Sequence, residues 1–112
     1  MLKLLERAAG LSLTGNLSRK FLLGAIGIRA DGPLVYAVNG GREGQQTPTM
    51  HAEARLCRKL DSGSVVYVSR LLKDGSVAIA KPCRDCETAM RNRGVSKCYY
   101  TISENEYGCI EF

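Results

Sequence analysis

Apolar positions recur along the 112 residues with two periods, one helical and one alternating, and the switches between them predict the elements. Leu2–Ala9 carries its leucines and alanines at helical spacing, so the chain opens on a short amphipathic helix that Gly10 is expected to stop. The stretch SLTGNLSRK (12–20) is polar and turn-rich, a linker by composition. FLLGAIGIRA (21–30) is apolar on both faces, as a central strand covered on two sides would be. DGP (31–33) turns the chain and LVYAVN (34–39) returns, which predicts a hairpin. GGREGQQTP (40–48), with three glycines and no apolar residue, reads as a loop. A helix over about 50–60 follows, N-capped by Thr49, with Ala52, Leu56, Cys57 and Leu60 on one face. SVVYVSRLL (64–72) is strongly β-prone; KDGS (73–76) is a turn, and VAIA (77–80) a short apolar run. CRDCETAMRNRG (83–94) predicts a helix ending at Gly94 with Ala89 and Met90 turned inward, and KCYYTI (97–102) and GCIEF (108–112) are the last strands.

This β-β-α-β-α-β order implies a mixed α/β sheet with helices packed on it. Only Ser103–Tyr107 separate the last two strands, whereas a parallel crossover needs about a dozen residues or more, so that pair must be antiparallel. Length fits one domain, and 45% hydrophobic with 24% charged residues is the balance of a globular protein. No apolar run approaches the roughly 20 residues of a bilayer span. MLKLLERAAG mixes charges among its leucines, unlike a signal peptide, which gives a cytoplasmic expectation. In that compartment five cysteines, an odd number, suggest thiols or metal ligands before disulfides. A net charge of +5 favours anionic partners, although the sixteen lysines and arginines form no dense run.

The candidate chemistry lies at two helix starts. Cys83 and Cys86 stand at C-x-x-C spacing where the 83–94 helix begins, and a helix N-terminus favours thiolates. With the single histidine, His51, they make a Cys2His set suited to tetrahedral zinc. Three protein ligands are the count of a catalytic site that keeps water in the fourth position. Cys57 is a poor fourth ligand: six residues beyond His51, it lies about 9 Å further along the helix and roughly 120° around it. Cys98 and Cys109, in predicted strands, are expected to be buried thiols. Glu53 diverges from His51 by roughly 200°, which suits it to the water beside the metal better than to the metal.

His51-Ala52-Glu53 followed by Pro82-Cys83-Arg84-Asp85-Cys86 resembles the cytidine deaminase superfamily, whose zinc enzymes carry H-x-E…P-C-x-x-C. The likeness in element order spans most of residues 20–112. It implies a cytidine deaminase-like three-layer α/β fold, a mixed five-stranded sheet with helices on both faces. The domains would be 1–20, an N-terminal helix and linker, and 21–112, the catalytic domain. It further implies one catalytic Zn2+ held by His51, Cys83 and Cys86, with Glu53 shuttling protons between water, ring nitrogen and departing amine. Asn39 resembles the family's substrate-binding asparagine, and the Ala52 amide would lie near the oxygen of a cytosine. Arg42 and Arg84 flank the expected pocket and could meet a phosphate.

The short C-terminal hairpin resembles the branch containing free cytidine deaminases, blasticidin-S deaminase and bacterial toxin deaminases. Branches acting on tRNA adenosine or dCMP, and the polynucleotide cytosine deaminases, usually insert a helix there. The resulting expectation is hydrolytic deamination of cytosine in a nucleoside, nucleotide or single-stranded nucleic acid. The chain is near the minimum length for the fold, so a homo-oligomer is expected, a partner subunit completing the pocket. Rival readings are an adenosine-type deaminase, an editing or toxin enzyme acting on polynucleotides, and a catalytically silent zinc module that binds nucleic acid.

Overall fold

The structure, a computed structural model, describes residues 2–13, 21–38, 52–72 and 74–112, the side chains of Phe21 and Ala54 excepted. Its elements are α1 (Lys3–Ser12), β1 (Phe21–Ile28), β2 (Leu34–Val38), α2 (Ala52–Cys57), β3 (Val65–Leu72), β4 (Val77–Ala78), α3 (Arg84–Arg93), β5 (Lys97–Ser103) and β6 (Glu106–Glu111). The strands form one mixed sheet in the order β2-β1-β3-β5-β6, with β4 paired to β3 beside β5. The expected five strands thus become six, because half of the VAIA run pairs with Arg70 and Leu71. β1 and β2 form the expected hairpin, β3 and β5 run parallel, and β5 and β6 are antiparallel. β6 begins two residues earlier than the sequence suggests, so Glu104 and Asn105 alone make its turn.

Helices cover both faces. β1 lies between β2 and β3, and Leu22, Leu23, Ala25 and Ile26 are buried, as its two-sided apolar pattern requires. One face carries α1, which reaches two residues past Gly10 to a buried Ser12. The approach is backbone-close: a Cβ on Gly24 would lie 2.0 Å from the Ala8 carbonyl oxygen. The buried Ser69 hydroxyl donates to the Leu5 carbonyl and ties α1 to β3. The opposite face holds the main core, where Leu56 and Leu60 join Val66, Val68, Met90, Val95 and Cys98. α3 ends in a Schellman arrangement at Gly94 (φ 89°): Val95 N–H donates to Met90 O and Gly94 N–H to Arg91 O, at 3.0 and 3.1 Å. The cysteine expectations divide, since Cys98 is fully buried but Cys109 is exposed. Cys109 lies on edge strand β6, in register with Tyr99 and on the sheet face that α1 covers chiefly over β1 and β3. Among the described residues no helix is long and apolar enough to cross a membrane.

Candidate active site

Two helix starts and two strand positions meet at one end of the main core. Cys83 is the N-cap of α3, in extended conformation, and its carbonyl accepts the Glu87 amide at 2.9 Å. Capping the helix with a cysteine leaves the sulfur, and not a hydroxyl, at the positive end of the helix dipole. Cys86 sits one turn on and is fully buried, whereas Cys83 is exposed. Their sulfurs are 3.3 Å apart and form no disulfide.

Glu53 occupies the first turn of α2 and is only 3% exposed. It is close enough to act on Cys86: burial first, then the Glu53 carboxylate, push the Cys86 thiol far up. Burial likewise raises Cys57, to about 11, and raises Cys98, so both are inert thiols of the core. Ala52, which opens α2, is fully buried.

A cavity of about 100 Å³ joins Glu53 to Cys83, lined also by Leu23, Arg70, Ile79, Ala80 and Lys81. Arg70 and Lys81 are cations that no motif announced. The signal for Arg70 was its parity: Val66 and Val68 point into the core at alternate positions of β3, and Arg70 continues that series. Its guanidinium donates to the Ile79 carbonyl at 3.4 Å, holding β3 to the segment that leads into α3. Arg84 is exposed on α3 and does not line the cavity. His51, Asn39, Arg42 and Thr49 lie outside the described residues. Among the described residues no three His, Cys, Asp or Glu side chains converge as metal ligands.

The two sulfurs fit a tetrahedral metal. Thiolates each about 2.3 Å from zinc would stand roughly 3.8 Å apart, a small opening of the 3.3 Å contact. A buried thiol and an exposed one 3.3 Å apart beside a buried carboxylate are an unfavourable arrangement for three anions, and a soft divalent cation resolves it. No curated protein matches the chain significantly. The family model for the cytidine and deoxycytidylate deaminase zinc-binding region, however, matches residues 2–102, a span that contains α1, the whole H-A-E…P-C-x-x-C set and most of the sheet. With its cysteine pair, its buried glutamate and that match in agreement, the chain belongs to the cytidine and deoxycytidylate deaminase zinc-binding family.

Proposed function

We propose that the protein hydrolyses the exocyclic C–N bond of cytosine, in a nucleoside, nucleotide or single-stranded nucleic acid, yielding uracil and ammonia. Cys83, Cys86 and His51 would hold the zinc. When bound, it supplies the Lewis acidity that makes water a competent nucleophile near neutral pH. The observation that carries the reading is Glu53, buried to 3% exposure yet lining the cavity it shares with Cys83.

A carboxylate is an expensive group to bury, and its place between α2 and α3 gives it proton-transfer work. Glu53 would take a proton from the attacking water and deliver it to the ring nitrogen. It would then carry the remaining proton of the added hydroxyl to the amine, which leaves as ammonia as the C–N bond breaks and that oxygen becomes the uracil carbonyl. Buried Leu23 and Ala80 would limit water at those transfers, and Arg70 and Lys81 would offset the carboxylate's charge. Asn39, Ala52, Arg42 and Arg84 are the proposed substrate contacts. The choice of cytosine rests on the antiparallel β5–β6 hairpin, which resembles the branch containing free cytidine deaminases, blasticidin-S deaminase and bacterial toxin deaminases.

A substrate panel of cytidine, deoxycytidine, their monophosphates, adenosine, single-stranded DNA and RNA, scored by mass shift and ammonia release, tests the proposal. Wild type should convert at least one cytosine substrate, and Glu53→Ala should retain zinc while losing activity by a factor of about 100 or more. Equal ammonia release by wild type and Glu53→Ala would reject it in favour of a zinc-containing binding module.

A further inference from the structure

α2 has a second flank. Glu53 and Arg55 are two positions apart and so diverge by roughly 200° around the helix, which leaves Arg55, Arg58 and Lys59 facing away from the zinc pocket. They border a cleft of about 360 Å³ at the β2 edge of the sheet, shared with Tyr36 and with an apolar floor from Leu11 and Val38. The Arg7 guanidinium donates to the Tyr36 hydroxyl at 3.2 Å, and the Lys59 ammonium donates to the Tyr36 carbonyl. Arg55, Arg58 and Lys59 therefore share a cleft around the β2 edge with Tyr36, which is 37% exposed and whose hydroxyl takes Arg7 on the α1 side.

Ion pairs among the described residues join Arg29 to Asp31 and Asp61, and Lys97 to Glu111; none involves Arg55, Arg58 or Lys59. Arg55 in α2 and Arg58 and Lys59 in the turn that follows it are like charges bordering one cleft, where they repel one another. Among the described residues Lys59 gains a side-chain hydrogen bond from this arrangement, and an anion in the cleft would relieve the repulsion.

We infer that this cleft is a second site, a groove for single-stranded nucleic acid in which Arg55, Arg58 and Lys59 take backbone phosphates and Tyr36 stacks a base. The cations are spread along the chain, Arg55 in α2 and Arg58 and Lys59 in the turn that follows it, and are not gathered at one point. An aromatic ring and apolar floor beside them suit a base and sugar, and this pairing of cationic track with stacking platform characterises sequence-tolerant single-strand binding. The site does not depend on the deaminase reading, because it contains none of the zinc or proton-transfer residues.

Fluorescence anisotropy of a labelled oligothymidylate, titrated at several salt concentrations, tests it. Three phosphates neutralised give a slope of log affinity on log salt near −2, at about 0.7 per phosphate for single strands. Arg55→Gln/Arg58→Gln should bring the slope to about −0.7 with thermal unfolding unchanged or raised, while Lys97→Gln on the far side of the sheet leaves it unaltered. Tyr36→Ala should weaken binding about tenfold on oligothymidylate but not on an abasic strand, and Tyr36→Phe should keep it. Absence of binding at low salt, or an Arg55→Gln/Arg58→Gln slope equal to wild type, overturns the inference. So does displacement by inorganic tripolyphosphate with Tyr36→Ala having no effect, which would assign the cleft to a small phosphate ligand. Glu53→Ala should bind the strand like wild type whatever its ammonia release, so failure of the groove and failure of the deaminase reading are separately visible.

Discussion

Cys83 and Cys86 are three residues apart and share a proposed ligand role, yet their surroundings differ, and that difference is measurable. Cys86 is fully buried and packs in the interior; Cys83 is exposed at the helix cap. Both Cys83→Ala and Cys86→Ala should abolish stoichiometric zinc. In metal-free protein, urea unfolding should show Cys86→Ala destabilised by about 1 kcal/mol, the transfer of one methylene-sized group plus a small cavity. Cys83→Ala should match wild type there. Equal losses would mean that the two thiols have the same packing role. Asp61 offers a pH prediction. Its carboxylate accepts the Ser64 hydroxyl at 2.6 Å, the Ala30 amide at 2.8 Å and the Asp31 amide at 3.3 Å. The Ser64 bond first, then the Ala30 amide, holds its carboxyl below the usual range. A depressed folded value means that protonation opposes folding. The contribution is therefore complete above about pH 4, the ordinary aspartate value, and disappears as pH falls through the lower folded one. Wild type should exceed Asp61→Asn in urea midpoint at neutral pH, and the gap should close in acid. A gap independent of pH would deny Asp61 this role.

α1 shows what an element borrows from its neighbours. Gly10 reads as a stop, but Leu5, Ala8 and Ser12 are buried against the sheet, and that packing carries the helix on to Ser12, whose hydroxyl donates to the Ala9 carbonyl at 2.6 Å. Two glycines should consequently respond with opposite signs. A Cβ on Gly10 meets nothing within 4 Å, so Gly10→Ala should stabilise by about 0.5–1 kcal/mol through helix propensity. Gly24→Ala would drive a methyl into the Ala8 carbonyl and should destabilise by roughly 1–3 kcal/mol or more as α1 is displaced. Denaturation midpoints decide both, and a stabilising Gly24→Ala would contradict the close packing of α1 on β1. α3 was legible to the residue, because Cys83, Cys86 and Gly94 carry local signals that need no tertiary context. The α1 end was not, since burial outweighed a local propensity. Arg70 and Lys81 escaped for a related reason: a cation in a strand and a cation in a connection become neighbours only once β3 and α3 are packed. Nor could two residues of β4 be distinguished from a loop by periodicity.

At the scale of the whole molecule, the order β2-β1-β3-β5-β6 was constrained by two countable facts, a turn between β1 and β2 and too few residues between β5 and β6 for a crossover. The parallel β3–β5 pair at the centre obliges α3 to cross the sheet, and α2 packs beside α3 on that same face. The proposed ligands thus come from different parts of the chain: His51 directly before α2, and Cys83 and Cys86 at the start of α3. A metal that links segments distant in sequence binds the folded chain and not the unfolded one, so its binding energy adds to stability. Zinc at a hundred times its dissociation constant contributes about 2.7 kcal/mol. For a domain of this size that corresponds to a midpoint higher by about 10 °C. A chelator should therefore lower the thermal midpoint of wild type by about this amount and leave Cys83→Ala, already metal-free, where it was. Since zinc takes thiolates, uptake releases protons, and the stabilisation should diminish as pH is lowered. A chelator-insensitive midpoint in protein shown to contain stoichiometric zinc would place the metal outside the α2–α3 junction. A chelator effect that survives Cys83→Ala would do the same.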